Sequence, residues 1–208
     1  MTILKANTSF KQYLLENRVI TPQEPYNNLV VIMGLPGAGK STVLKKGLLN
    51  VNNIVHVTPD KWIELTAKTL KKDLTNPLHT QEIYNNIRDK HNKFARKSID
   101  PSAQSNFVLE TLSRNPFKIQ GLMIKSKEKG MRIIVVYVRT SLTIALENNK
   151  KRKRVIPEEV IIDTFKCIDD NFKILRSTHV VDEAWIIDNT SKPSFNDFRT
   201  SQYIERVK

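Results

Sequence analysis

Three observations in this 208-residue sequence predict an α/β fold, a three-layer α/β/α sandwich around a central, mostly parallel five-stranded sheet. Short runs rich in Val and Ile recur with helix-forming segments between them, the order that yields a parallel sheet covered on both faces. The first run ends at a glycine and passes through "GLPGAGKST" into a helical segment. No apolar run approaches the length of a bilayer span, so these runs belong to a buried sheet and not to a membrane.

Ser9 to Val19, "SFKQYLLENRV", has the spacing of a short amphipathic helix, and "TPQEPYNN" with its two prolines breaks it. Residues 1–28 therefore read as an N-terminal helical extension and 29–208 as one domain. "NLVVIMG" is the first strand, "KSTVLKKGLL" the helix after the loop and "NIVHVT" the second strand. From Lys61 to Ser98 the chain is polar and helical in propensity, with Pro77 as an internal breaker. "SNFVLE" is a third strand, "NPFKIQGLMIKSKEKG" a helix closed by Gly130, "MRIIVVYV" a fourth strand and "SLTIALENNKKRKR" a helix. "PEEVIIDTFKCIDDNFKILRS" is a longer amphipathic helix with proline at its first turn, and "EAWIID" is the fifth strand.

Lys and Arg number 34 against 21 Asp and Glu, a net charge of +13, so phosphate-bearing partners are attracted to the surface. The N-terminus lacks the basic, apolar and small-residue order of a secretory signal, and a cytoplasmic protein is expected. Cys167 is the only cysteine, which excludes an internal disulfide and fits a reducing compartment. His56, His79, His91 and His179 have no metal-ligand spacing with one another.

Gly34, Leu35, Pro36, Gly37, Ala38, Gly39, Lys40 and Ser41 match GxxxxGK[ST] in full, between a predicted strand and a predicted helix. Glycines let the backbone wrap a polyphosphate with N–H groups inward, and the helix adds its positive end. Lys40 is expected to reach the β and γ phosphates, Ser41 to ligate Mg²⁺ and Thr42 to face the α-phosphate of a bound ATP or GTP. The fold class is thereby that of the P-loop NTPases.

Asp60, in "TPDKW", follows the second strand and so lies at the carboxyl edge of the sheet with the loop. A carboxylate there can take a hydroxyl proton as phosphate moves, or cap the helix that begins at Lys61. Glu110 ends the third strand likewise; it can serve Mg²⁺ or the acceptor, with Thr111 and Arg114 orienting phosphate, or form a surface pair with Arg114. Lys150, Lys151, Arg152, Lys153 and Arg154 are five adjacent cations, suited to a mobile segment closing over anions or to a nucleic-acid or targeting patch.

The order "GLPGAGKST", "TPDKW", "FVLETLSRNP" and "NNKKRKRVIP" resembles the P-loop kinases grouped around zeta toxins and polynucleotide 5′-hydroxyl kinases, over about Leu29 to Thr190. That resemblance implies an ATP- and Mg²⁺-dependent kinase. It implies that Asp60 activates the acceptor hydroxyl, that Arg152 and Arg154 are lid arginines on the ATP phosphates, and that Asp188 and Asn189 border adenine. Three positions depart from the pattern: Asn148 stands where many relatives carry an arginine, Thr111 where zeta toxins carry glycine, and Ile63 where polynucleotide kinases carry arginine.

Lys61 to Ser98 holds nine cations against four acids, a balance that favours a polyanionic acceptor such as DNA or RNA. Trp62 and Tyr84 can stack on a base or belong to the amphipathic core. The leading expectation is a kinase of a nucleic-acid hydroxyl, either a 5′ end or a hydroxymethylated base, as in the phage 5-hydroxymethyluracil DNA kinases. A zeta-toxin-like kinase of UDP-N-acetylglucosamine and a nucleic-acid-binding NTPase without an acceptor are the alternatives.

Overall fold

Every residue of strand β1 (Asn28–Met33) is buried, which requires cover on both faces of the sheet at its centre. A computed structural model describes residues 27–45, 54–99, 105–190 and 204–207. The expected N-terminal helix lies outside these residues. Besides β1 the sheet contains β2 (Ile54–Val57), β3 (Asn106–Thr111), β4 (Arg132–Thr140), β5 (Glu183–Asn189) and β6 (Ile204–Val207), in the order β2-β3-β1-β4-β5-β6.

The five strands expected from the sequence are mutually parallel, and β6 adds a sixth, antiparallel to β5 at the edge. "IERV" escapes a pattern reading because it is short and carries two charges. The six helices among the described residues are α1 (Lys40–Lys45), α2 (Asp60–Leu70), α3 (Pro77–Ser98), α4 (Pro116–Glu128), α5 (Leu142–Lys150) and α6 (Glu158–Arg176). None is long and apolar enough to cross a membrane.

Local chemistry sets the boundaries. Asn115 accepts from the Lys118 N–H at 3.2 Å and starts α4, and Ser141 accepts from Ile144 at 3.3 Å and starts α5. Pro77 opens α3 after the break that follows Leu70, so the helical segment divides there as expected, while Pro157 sits at the cap position just ahead of α6. Helix α5 stops at Lys150, so "KRKR" is loop and not the helical continuation that its sequence suggests.

Register places the site. Ile32 pairs with Glu110, and Met33 pairs with Thr111 on one side and Tyr137 on the other, so the carboxyl ends of β1 and β3 are level while β4 runs on to Thr140 beside β5. Val57 pairs with Leu109, which delivers the β2–α2 turn to the same edge. The main core packs between sheet and helices. A second small core of Ile63, Ala67, Ile83 and Ile87 joins α2 to α3, with Trp62, Leu74 and Tyr84 against it. Each such side chain contributes roughly 1.5–3 kcal/mol on burial, enough to hold the α2–α3 pair as a unit beside the sheet.

Candidate active site

The loop from Gly34 to Ser41 is held by its carbonyls. Lys40 Nζ donates to the Gly34 and Leu35 oxygens at 2.8 and 2.9 Å. Asn148 Nδ2 donates to Gly37 O and Asn189 Nδ2 to Ala38 O, each at 2.9 Å. Carbonyls engaged in this way leave N–H groups to serve an anion, the arrangement a phosphate needs. Gly37 has φ 84°, and a Cβ there would lie 2.5 Å from the Ala145 carbonyl oxygen, so only glycine fits. Pro36 is buried, Gly39 lies beside the Asn189 amide, and Thr42 is exposed on α1.

Asn148 occupies the position where the resemblance expects an arginine. It braces the loop from α5 instead. Asn189 has the same role from β5, and its own carbonyl accepts from Thr140 Oγ1 at 3.0 Å. Asp188 accepts from the Thr190 N–H at 2.9 Å and lies 3.8 Å from Arg139. These side-chain roles hold the end of β5 next to the loop.

Ser41 Oγ donates to Glu110 Oε1 at 3.2 Å, and His56 Nε2 lies 2.9 Å from the same oxygen. Glu110 therefore pairs with His56 and Ser41, not with Arg114, which is exposed and lines the neighbouring cleft. Burial pushes the Glu110 carboxyl up, but the His56 hydrogen bond and the Lys40 charge outweigh it and hold the group below the usual range. Two oxygens at this separation suit adjacent corners of an octahedral Mg²⁺ shell, which needs ligands at about 2.1 Å and about 3.0 Å from each other. Among the described residues no three His, Cys, Asp or Glu side chains gather into a cage of their own.

Asp60 is the first residue of α2. Pro59 holds the cap position and no side chain caps the helix, so the Asp60 carboxylate is not used as a cap. It meets two arginines instead: Arg154 Nη2 lies 2.7 Å from Oδ1, and Arg152 Nη2 lies 3.4 Å from Oδ2. Lys151 and Lys153 point to solvent, so the cationic run alternates. Both ends of the run are anchored. Buried Asn149 donates to Ile156 O at 2.8 Å and accepts from Ile156 N at 3.1 Å, and Val155 N donates to Leu74 O at 2.9 Å.

Lys40 senses all of these charges. Burial lowers its pKa to about 8; Glu110 and Asp60 oppose that shift, while Arg152 and Arg154 add to it. Burial likewise pushes Arg154 below its ordinary value, with Asp60 acting against it. The arginine Nε is buried without a partner, a donor available to an anion.

A cleft of about 490 Å³ opens beside Asp60 and Lys40, within the range that holds a small ligand. Its lining carries six cations, Lys40, Arg88, Arg114, Lys118, Arg152 and Arg154, against the two carboxylates of Asp60 and Glu110, so it prefers an anionic occupant. Tyr84 lines it; Trp62 does not. Trp62 packs on Phe94 at 5.3 Å and on His91 at 6.0 Å, spent on joining α2 to α3 and unavailable for stacking in the cleft. Thr111 Oγ1 accepts from Ser113 N at 2.9 Å. Ser113 itself was not singled out by sequence: it has φ 49°, is buried, lines the cleft and leaves its hydroxyl without a partner. His56, Asn148 and Asn149 were missed for the same reason, since isolated polar residues give no periodic signal.

Parallel sheet, phosphate loop and carboxylates at the strand ends together define a P-loop nucleotide-binding protein with a kinase-like fold. The chain belongs to the AAA domain family, whose model matches residues 29–175. It is 23% identical over 179 residues to L-seryl-tRNA(Sec) kinase of Methanococcus maripaludis, covering 81% of this chain and 62% of that protein. In structure it is similar to the PezAT chromosomal toxin-antitoxin system of Streptococcus pneumoniae, with TM-score 0.58, 16% identity and coverage of 89% and 80% of the two chains. It is also similar to the AvrRxo1-ORF1:-ORF2 complex with ATP, with TM-score 0.57, 12% identity and coverage of 82% and 57%. At these identities the structural likeness carries the fold.

Proposed function

We propose that the protein is an ATP- and Mg²⁺-dependent kinase that moves the γ-phosphate onto a hydroxyl carried by a nucleic acid. The observation that supports this most is the meeting of Asp60 with Arg152 and Arg154 beside the Lys40 loop. A carboxylate that accepts a proton and cations that neutralise phosphoryl charge are the parts that transfer to a hydroxyl requires.

Lys40 and the loop N–H groups hold the donor phosphates. Ser41 and Glu110 would hold Mg²⁺, which would supply neutralising charge to the donor phosphates. Asp60 takes the proton of the acceptor hydroxyl. Arg154 and Arg152 turn from the carboxylate toward the transferring phosphoryl, which frees the Asp60 oxygens for that proton. Thr111 and Arg114 orient the acceptor from the end of β3, and Asp188 and Asn189 border the base of the nucleotide.

Charge supports the nucleic-acid acceptor: with Lys40, Arg152 and Arg154 on the donor side, Arg88, Arg114 and Lys118 still line the cleft as cations for an anionic acceptor. The L-seryl-tRNA(Sec) kinase relative is named for an acceptor that is also a hydroxyl borne by a nucleic acid. The size of the cleft favours a second reading, a UDP-N-acetylglucosamine kinase.

Labelled ATP incubated with 5′-hydroxyl oligonucleotides, hydroxymethyluracil duplex, seryl-tRNA and UDP-N-acetylglucosamine in parallel tests the choice. Label on a nucleic acid is expected. Label on the sugar alone overturns it, and phosphate release stimulated by DNA with no acceptor labelled supports an NTPase.

A further inference from the structure

Two depressions on the acceptor side share a wall. Asn92 and Lys118 line both the cleft at Asp60 and a groove along α3, so one runs into the other. Lys93 and Lys97 continue the groove; they are four positions apart on α3 and so lie on one face of it. Lys118 stands across from them in the first turn of α4.

Arg114, Lys118, Lys93 and Lys97 are all exposed and have no carboxylate partner among the described residues. The one acid on the groove, Asp89, lies 3.5 Å from Arg88. Unpaired like charges in a line repel, and a partner that repeats its negative charge along the same line relieves them. Lys40, Arg152 and Arg154 serve the donor at the inner end, and a single acceptor diphosphate met by Arg114 and Lys118 leaves Lys93 and Lys97 without an anion. A cleft of about 490 Å³ admits a nucleotide but not a duplex.

We propose that this line is the track of a single-stranded nucleic acid whose hydroxyl end lies at Asp60. Its backbone phosphates pass Arg114 and Lys118 and then Lys93 and Lys97. The track rests on the nucleic-acid reading of the acceptor given above.

Fluorescence anisotropy with labelled oligo-dT and oligo-rU, measured across a salt series, tests it on wild type, on Lys93→Ala/Lys97→Ala and on the exposed control pair Lys166→Ala/Lys173→Ala. Loss of two phosphate contacts lowers the slope of log affinity against log salt by about 1.4, at about 0.7 per contact on single strands. Both sequences are expected to weaken equally, with the control at the wild-type slope. An unchanged slope and affinity in the Lys93/Lys97 pair overturns the track, as does an equal drop in the control, which makes the effect one of net charge. Label transfer in the same samples separates the two readings. Transfer with an unchanged slope rejects the track alone, whereas a lowered slope with no strand labelled keeps the track and rejects the acceptor.

Discussion

Arg154 brings its Nη2 to within 2.7 Å of Oδ1 of Asp60 across 94 positions of sequence, joining the loop after α5 to the first turn of α2. The pair joins the group proposed to take the proton to a group proposed to meet the phosphoryl. Its partner Arg152 is looser, at 3.4 Å, and its side chain is 29% exposed against 13% for Arg154. Arg154 is therefore the better-fixed cation. Arg154→Ala is expected to slow transfer by about 10³-fold or more, as loss of a phosphoryl-contacting arginine does. Thermal unfolding should show a loss of about 1–3 kcal/mol, the worth of a charged hydrogen bond. Arg154→Lys keeps the charge but not the fork, and should recover stability more than rate.

Lys40 gives a pH signature. Its folded pKa of about 8 lies below the ordinary 10.5, so folding disfavours the charged form. Between those values the unfolded chain binds more protons than the folded one, and stability from this group rises with pH across that window. Bound phosphates act the other way, because they favour the ammonium. ATP affinity should thus fall as pH rises through about 8. Titration calorimetry on wild type and Lys40→Met checks this: the variant should bind weakly with that fall removed.

Ser113 holds a left-handed backbone, φ 49°, that an L side chain adopts at a cost of about 1–2 kcal/mol. Its buried hydroxyl has no partner, at a further cost of about 1–3 kcal/mol. Its backbone is held in place by Thr111 Oγ1 on the N–H and by Asn171 Nδ2 on the carbonyl at 2.7 Å. Strain kept at a cleft wall points to use by the acceptor. Ser113→Gly should raise the melting temperature by about 2–4 °C, net of glycine entropy. It should also raise KM for the acceptor while leaving KM for ATP near wild type. A variant both more stable and equally good with the acceptor makes Ser113 purely structural.

Much of the fold was legible because buried parallel strands are continuous apolar runs and the loop's glycines answer a backbone requirement. Asp60 and Glu110 were legible from their positions just past strand ends. What joins them was not. The Asp60 contacts span 92 and 94 positions and depend on which strands are neighbours, which no local pattern encodes. Asn148, Asn149 and Asn189 act through single amides, and asparagine in sequence reads as turn or surface. Trp62 stayed open between stacking and core packing because an aromatic two positions after Asp60 has the same local sequence whether it faces a ligand or α3.

Single-turnover transfer from labelled ATP by Asp60→Asn, with ATP affinity measured on the same protein, bears most directly on the central claim. Asparagine preserves shape but cannot take the proton, so the transfer rate should fall by about 10²–10⁴-fold with ATP affinity near wild type. Transfer near the wild-type rate with ATP still bound would contradict the account and leave Asp60 as no more than an anchor for Arg152 and Arg154.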